Sequence, residues 1–179
     1  MVAQEDVDTA TVLAEYLARL DLDTSMQRIP PEGAPDFEPD ALVVICGPGT
    51  SPTIGELLRS DPTLDYSQRA DGTWTIVDRE SSREFRSPID DGSTDRDIAY
   101  LGRLHRPDGR PFILIAGIHA TGSLGVAHYL VTAPHLRELQ ETTPGPARFS
   151  MVIACQFDPD TLSIRGTEAA SPPRAHAES

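Results

Sequence analysis

Phe112-Ile113-Leu114-Ile115-Ala116-Gly117-Ile118-His119-Ala120-Thr121-Gly122-Ser123-Leu124-Gly125-Val126-Ala127-His128-Tyr129-Leu130 reads as a buried strand, a glycine turn and a helix. The apolar run at 112–116 has the character of a strand covered on both faces. Glycines after it allow a tight turn and a close approach of the backbone to a ligand. A helix beginning there presents unpaired N–H groups and the positive end of its dipole, which together favour an anion such as phosphate. Gly122 is expected to open that helix with an N–H offered to a ligand.

A second unit of the same kind lies upstream. Ala41 to Cys46 is a continuous apolar run, and Gly47-Pro48-Gly49-Thr50-Ser51-Pro52 follows it before a helix to about Ser60. Ser51 as cap with Pro52 at the first helical position is a helix-start signal. Residues 98–105 read as a further strand, and the turn Pro107-Asp108-Gly109-Arg110 pairs it antiparallel with the run at 112. Phe149 to Phe157 is the last strong strand. Alternation at 73–77 and 83–86 predicts a β-hairpin or meander, and helical spacing predicts a helix from Asp8 to Leu20 capped by Thr9 or Asp8. Ser25 to Ile29 reads as an edge strand and 134–140 as a short helix.

The fold class expected is α/β: a three-layer Rossmann-like domain with a mixed sheet and an added β-hairpin. Residues 1–165 make one domain, with a Pro- and acid-rich loop at 30–40 and a hairpin with an acidic loop inserted at 66–97. Residues 166–179 are small, polar and Pro-rich, and are expected to form a disordered tail.

Candidate ligand-binding residues follow from the two loops: Gly47, Gly49, Thr50, Ser51, Gly117, His119, Thr121, Gly122 and Ser123. In open α/β sheets ligands sit outside the carboxyl ends of strands, where neighbouring loops diverge. The turn has the form G-x-H-x-x-G. His119 stands where the dinucleotide fingerprint has its middle glycine, which argues against classical dinucleotide binding. His119 is the catalytic candidate, as the histidine best placed for acid–base work, with a hydrogen-bonded structural role as the alternative. Asp90, Asp91, Asp95 and Asp97 form an acidic patch, read as a solvated loop. Arg86, Arg96, Arg103 and Arg106 would make a phosphate clamp if one face gathered them, and salt bridges otherwise. No pair of histidines has metal-ligand spacing, so no metal site is expected, and no cofactor is identified. Cys46 and Cys155 read as buried thiols.

The 179 residues carry a net charge of −13, which argues against direct nucleic-acid binding and against docking on anionic lipid. Lys and Asn are absent, so phosphate contacts fall to Arg, backbone N–H and hydroxyls. No window approaches the roughly 18 apolar residues of a membrane span. The acidic N-terminus lacks a signal-peptide pattern, and a cytoplasmic location is expected.

Val43 to Pro48, Arg86 to Gly92, Ala99 to Leu104, Ile115 to Gly122 and Phe157 to Asp160 together resemble an uncharacterised actinobacterial α/β domain often found C-terminal to helix-turn-helix domains. The paired glycine loops are similar in architecture to SLOG-type nucleotide sensors. The resemblance carries over no activity and no catalytic residue. The function expected from the two glycine loops is a sensor or accessory domain binding a small ligand, a nucleotide or another phosphorylated metabolite. Two alternatives stand beside it. One is a nucleotide- or nucleoside-processing hydrolase using His119 with one of the acids at 90–97. The other is a protein-interaction module without ligand, acting with a protein partner or as a homo-oligomer.

Overall fold

Two apolar runs joined by a short turn organise the centre of the molecule. β5 (Arg96–His105) and β6 (Pro111–Gly117) pair antiparallel, in register from Ala99↔Gly117 to His105↔Pro111. Gly109, at φ +83°, supplies the left-handed residue that closes the turn between them. The computed structural model describes residues 4–29, 33–49, 51–93, 95–106, 108–143, 145 and 147–176.

Around this pair, β1 (Val43–Ile45), β7 (Phe149–Phe157) and β8 (Ile164–Ala169) complete a sheet in the order β1-β6-β5-β7-β8, and β9 (Arg174–Ala175) also pairs with β7. β1 and β6 run parallel, and every other pairing in the sheet is antiparallel. The domain is therefore α/β with a mixed sheet. In place of an added hairpin, β2 (Leu64–Gln68), β3 (Trp74–Asp78) and β4 (Glu84–Arg86) form a separate three-stranded antiparallel sheet.

The period of two along the central strands sends alternate side chains to two cores. One core joins Tyr100, Leu104, Phe112, Leu114, Ala116 and Val152 to α2 (Pro52–Arg59) and the small sheet. The other joins Ala99, Leu101, Ile115, Met151 and Ile153 to α1 (Gln4–Ala18), α3 (Ala120–Val131) and α4 (Ala133–Thr142). A Cβ at Gly102 would fall 2.4 Å from the Tyr100 hydroxyl. Glycine at 102 thus gives the Tyr100 ring its path across the sheet.

Three expectations are corrected. Ser25–Ile29 is not a strand but exposed or half-exposed coil. Thr9 does not cap α1; it lies inside the helix, fully buried, with Oγ1 donating to the Glu5 carbonyl at 2.6 Å. Residues 166–176 are not a disordered tail, because β8 and β9 fold back along the free edge of β7. Backbone hydrogen bonds to Val152 and Arg148, and a bond from the Val152 N–H to Ser171 Oγ at 2.8 Å, hold this segment where apolar area does not. His176 completes the docking, 8% exposed, with Nε2 3.1 Å from Ser150 Oγ. Residues 177–179 lie outside the described residues.

Candidate functional site

Parallel pairing of β1 with β6 places the loops after both strands at one end of the sheet. They touch there: a Cβ at Gly47 would lie 3.6 Å from the Gly117 carbonyl. Trp74 of the small sheet lies over Gly49 at the same distance from its Cβ position, and meets Tyr66 edge-on at 5.8 Å between ring centroids. The Tyr66 hydroxyl donates to the Gly117 carbonyl at 2.7 Å, and the Gly117 N–H donates to Ser123 Oγ at 3.0 Å.

The glycines of this turn are required by contact, not by φ. Neither Gly117 nor Gly122 has positive φ. A Cβ at Gly117 would meet the His119 carbonyl at 2.0 Å, and one at Gly122 would meet the Ile98 carbonyl at 2.6 Å. Gly125 is packed against Cys155: a Cβ at Gly125 would lie 2.4 Å from the Cys155 Cβ. The turn is pressed onto β5 and β7 rather than opened toward solvent.

Asp97 occupies the place expected for a ligand anion. It is fully buried, and its Oδ2 accepts the Gly122 N–H at 2.7 Å while Oδ1 accepts the Ile98 N–H at 2.8 Å. A carboxylate at the α3 N-terminus takes the Gly122 N–H, one of the donors there, and complements the dipole. The Gly122 N–H is therefore not offered to a phosphate. Burial pushes the Asp97 carboxyl up to about 6, opposed by hydrogen bonds from Ser87, Ile98 and Gly122 and by the nearby His119.

His119 stands at the N-cap position of α3 with extended backbone (φ −114°, ψ 168°) and makes no capping bond. Its Nε2 lies 3.0 Å from Asp90 Oδ1, and the two side chains are 39% and 19% exposed. Asp90 is carried by a 3-10 turn, Pro88–Asp91, which Ser87 caps by accepting the Ile89 N–H and Gly92 closes at φ +87°. The Nε2–Asp90 contact fixes the orientation of the ring and leaves Nδ1 as its other polar atom. Burial first, then Asp97 and Asp90, raises Tyr66 well above its ordinary value, so its phenol stays a donor.

The other expected site residues have different duties. Ser51 is fully buried and does not cap α2; its Oγ donates to the Gly33 carbonyl at 2.7 Å. Ser123 is 2% exposed and its Oγ accepts from Gly117. Thr121 is 6% exposed, and its carbonyl faces the Cys155 thiol. Thr50 lies outside the described residues.

The acids at 90–97 are not one solvated loop. Asp90 and Asp97 belong to the turn, Asp91 lies 3.9 Å from Arg86, and Asp95 is held by Ser93 and Gln156. The arginine clamp does not form either. Arg103 donates to the Ala147 and Thr143 carbonyls, while buried Arg106 pins the chain at Phe37 and Asp40. Both cysteines are buried and neither is in a disulfide, and burial pushes the Cys155 thiol up to about 12. His128 is held below its ordinary value by burial, and His135 stacks on Tyr129. Among the described residues no group of three or more His, Cys, Asp or Glu could hold a metal, and no helix is long and apolar enough to cross a membrane.

Asp97 and Tyr66 are the site residues that motif reading missed as parts of the turn. The β5–β6 register carries a signal for Asp97: two residues beyond Ala99↔Gly117, Asp97 falls opposite His119. Tyr66 reaches the turn from the second sheet and has no such local signal. Compared with family models, curated proteins and solved structures, the chain matches none.

Proposed function

We propose that this chain is a small-ligand-binding domain of sensor or accessory type, reading its ligand through the His119–Asp90 pair. The observation that supports this is the half-exposed imidazole, oriented at 3.0 Å by a carboxylate, where the loops after two parallel strands meet. The ligand class proposed is a nucleotide or nucleoside. Its contact with this pair is a hydrogen-bond donor such as a sugar hydroxyl, because Asp97 fills the anion position and Asp90 adds negative charge. The Rossmann-like, three-layer description belongs to this proposal, supported by the β6–glycine turn–α3 unit and by cover on both faces of the sheet. So does a cytoplasmic setting, supported by two buried thiols that form no disulfide.

The same pair supports a second reading, a nucleoside-processing hydrolase in which His119 takes a proton from water and Asp90 orients it. Calorimetry of the chain against paired nucleosides and nucleotides tests the first reading. Tighter binding of the nucleoside, lost in His119→Ala, is expected. Product analysis by mass spectrometry on the same samples tests the second. If neither binding nor turnover occurs across the panel, the interaction-module reading replaces both.

A further inference from the structure

At the opposite end of the sheet the helical face does not close. A cavity of about 460 Å³ lies between α1, α3, α4 and the sheet, walled by Leu13, Leu17, Ile113, Leu130, Leu139 and Phe149. Its volume is that of small-molecule sites, which run from about 300 to 1,000 Å³. Val43, the 39% exposed first residue of β1, forms part of its lining.

Among the described residues one charged side chain lines this space. Arg103 projects from the end of β5, its guanidinium 5.2 Å above the Phe149 ring, with Nε and Nη2 donating to the carbonyls of Ala147 and Thr143. Among the described residues no Asp or Glu lines the cavity, although the chain holds 28 acids against 15 arginines. Burial alone draws the Arg103 guanidinium below its ordinary value, with no carboxylate opposing the effect. An arginine partly withdrawn from water, with no carboxylate paired to it among the described residues, fits an anionic group brought by a ligand.

We propose that this cavity binds a small aliphatic carboxylate, with its hydrocarbon chain among the leucines and isoleucines and its head on Arg103. Branched and straight aliphatic walls suit a flexible chain, and a guanidinium fork suits a carboxylate. The site is independent of the His119 crevice, so failure of either proposal leaves the other standing.

The test is calorimetry of the full chain with decanoate, decanol and decyltrimethylammonium, each below the concentration at which it self-associates. Amide NMR shifts would locate the bound molecule. Stoichiometric decanoate binding is expected, with the alcohol about tenfold weaker and the cation weaker still. Shifts should fall on Leu13, Ile113 and Leu139 and spare His119. Arg103→Gln should erase the preference for the acid, and Val43→Trp, at the partly exposed lining, should weaken all binding. If Arg103→Gln fails to fold, the head-group series and Val43→Trp decide. Equal binding of acid and alcohol, shifts elsewhere, or binding untouched by Val43→Trp would overturn the proposal. So would absence of decanoate binding together with a concentration-dependent dimer that Val43→Trp abolishes, since a second copy would then be the occupant.

Discussion

Asp97 at the glycine turn and Asp61 beneath the C-terminal segment are both buried carboxylates beside a histidine, yet their surroundings differ. Asp61 is met by four donors: the Thr63 N–H and hydroxyl, the Leu64 N–H and the Tyr100 hydroxyl. His176 closes over it with Nε2 3.6 Å from Oδ2, its side chain 2% exposed. Asp97 is braced from the protein side by Ile98, Gly122 and Ser87, while His119 beside it stays half open and pairs with Asp90. Ser150, His176 and Asp61 include the residue types of a hydrolytic triad, but Ser150 is fully buried and both partners approach the same nitrogen, Nε2. No proton relay through the ring is possible in that arrangement. Residue type and proximity are shared by the two clusters; access separates a candidate site from a structural clasp.

The strongest test of the clasp is to end the chain after Ile164. The β7 edge would lose its partners, and Ser150 would lose His176, so a loss of about 3 kcal/mol or more is expected, a fall on the order of 10 °C in Tm. An unchanged melting curve would remove the clasp from the comparison. Gly122→Val tests the other cluster. Its Cβ would already collide with the Ile98 carbonyl and Asp97, so about 3 kcal/mol of destabilisation is expected in urea unfolding, with ligand binding lost only as a consequence.

Acid titration sharpens the contrast, because the two clusters should respond with opposite sign. The folded Asp97 carboxyl sits at about 6 against an ordinary 3.8, so the fold binds its proton more tightly than the unfolded chain. Its stabilising contribution is full below about pH 4 and is lost as pH rises through 6, on the order of 3 kcal/mol. His176 is held below its ordinary 6.5, first by burial and also by Arg148, with Asp61 opposing. Its contribution is present above 6.5 and is lost as pH falls through the lowered value. Unfolding midpoints from pH 4 to 7 should therefore lose their acid-side gain in Asp97→Asn and their acid-side loss in His176→Gln. Parallel profiles in the two variants would break the comparison. The smallest effect on stability belongs to His119→Ala, within about 0.5 kcal/mol, against about 1–2 kcal/mol of lost nucleoside binding.

The central strands were legible because their apolar runs are long and bounded by glycine and proline, as at 41–47 and 112–117. The meeting of the two glycine loops followed from strand–loop–helix order. Asp97 at the helix start was not legible as a cap, since it lies 25 residues before Gly122 and reaches it only through the hairpin register. The C-terminal strands were hidden for a related reason. Their docking rests on main-chain pairing to β7 and on Ser171 and His176, whereas composition reports chiefly apolar area. Two duties of the site glycines were also invisible, because Gly122 and Gly125 are selected by neighbours distant in sequence, Ile98 and Cys155.

The two outer strands of the central sheet also determine how it can meet other chains. β1 is three residues long, between Asp40 on one side and Gly47-Pro48 on the other. β8 exposes Arg165 and Glu168 and contains Gly166. A short strand bounded by proline and a charged, glycine-weakened one are both poor templates for an incoming strand. Fibrillar growth by edge-to-edge addition is thereby discouraged at both edges of the sheet, even though its inner strand β6 is almost wholly apolar.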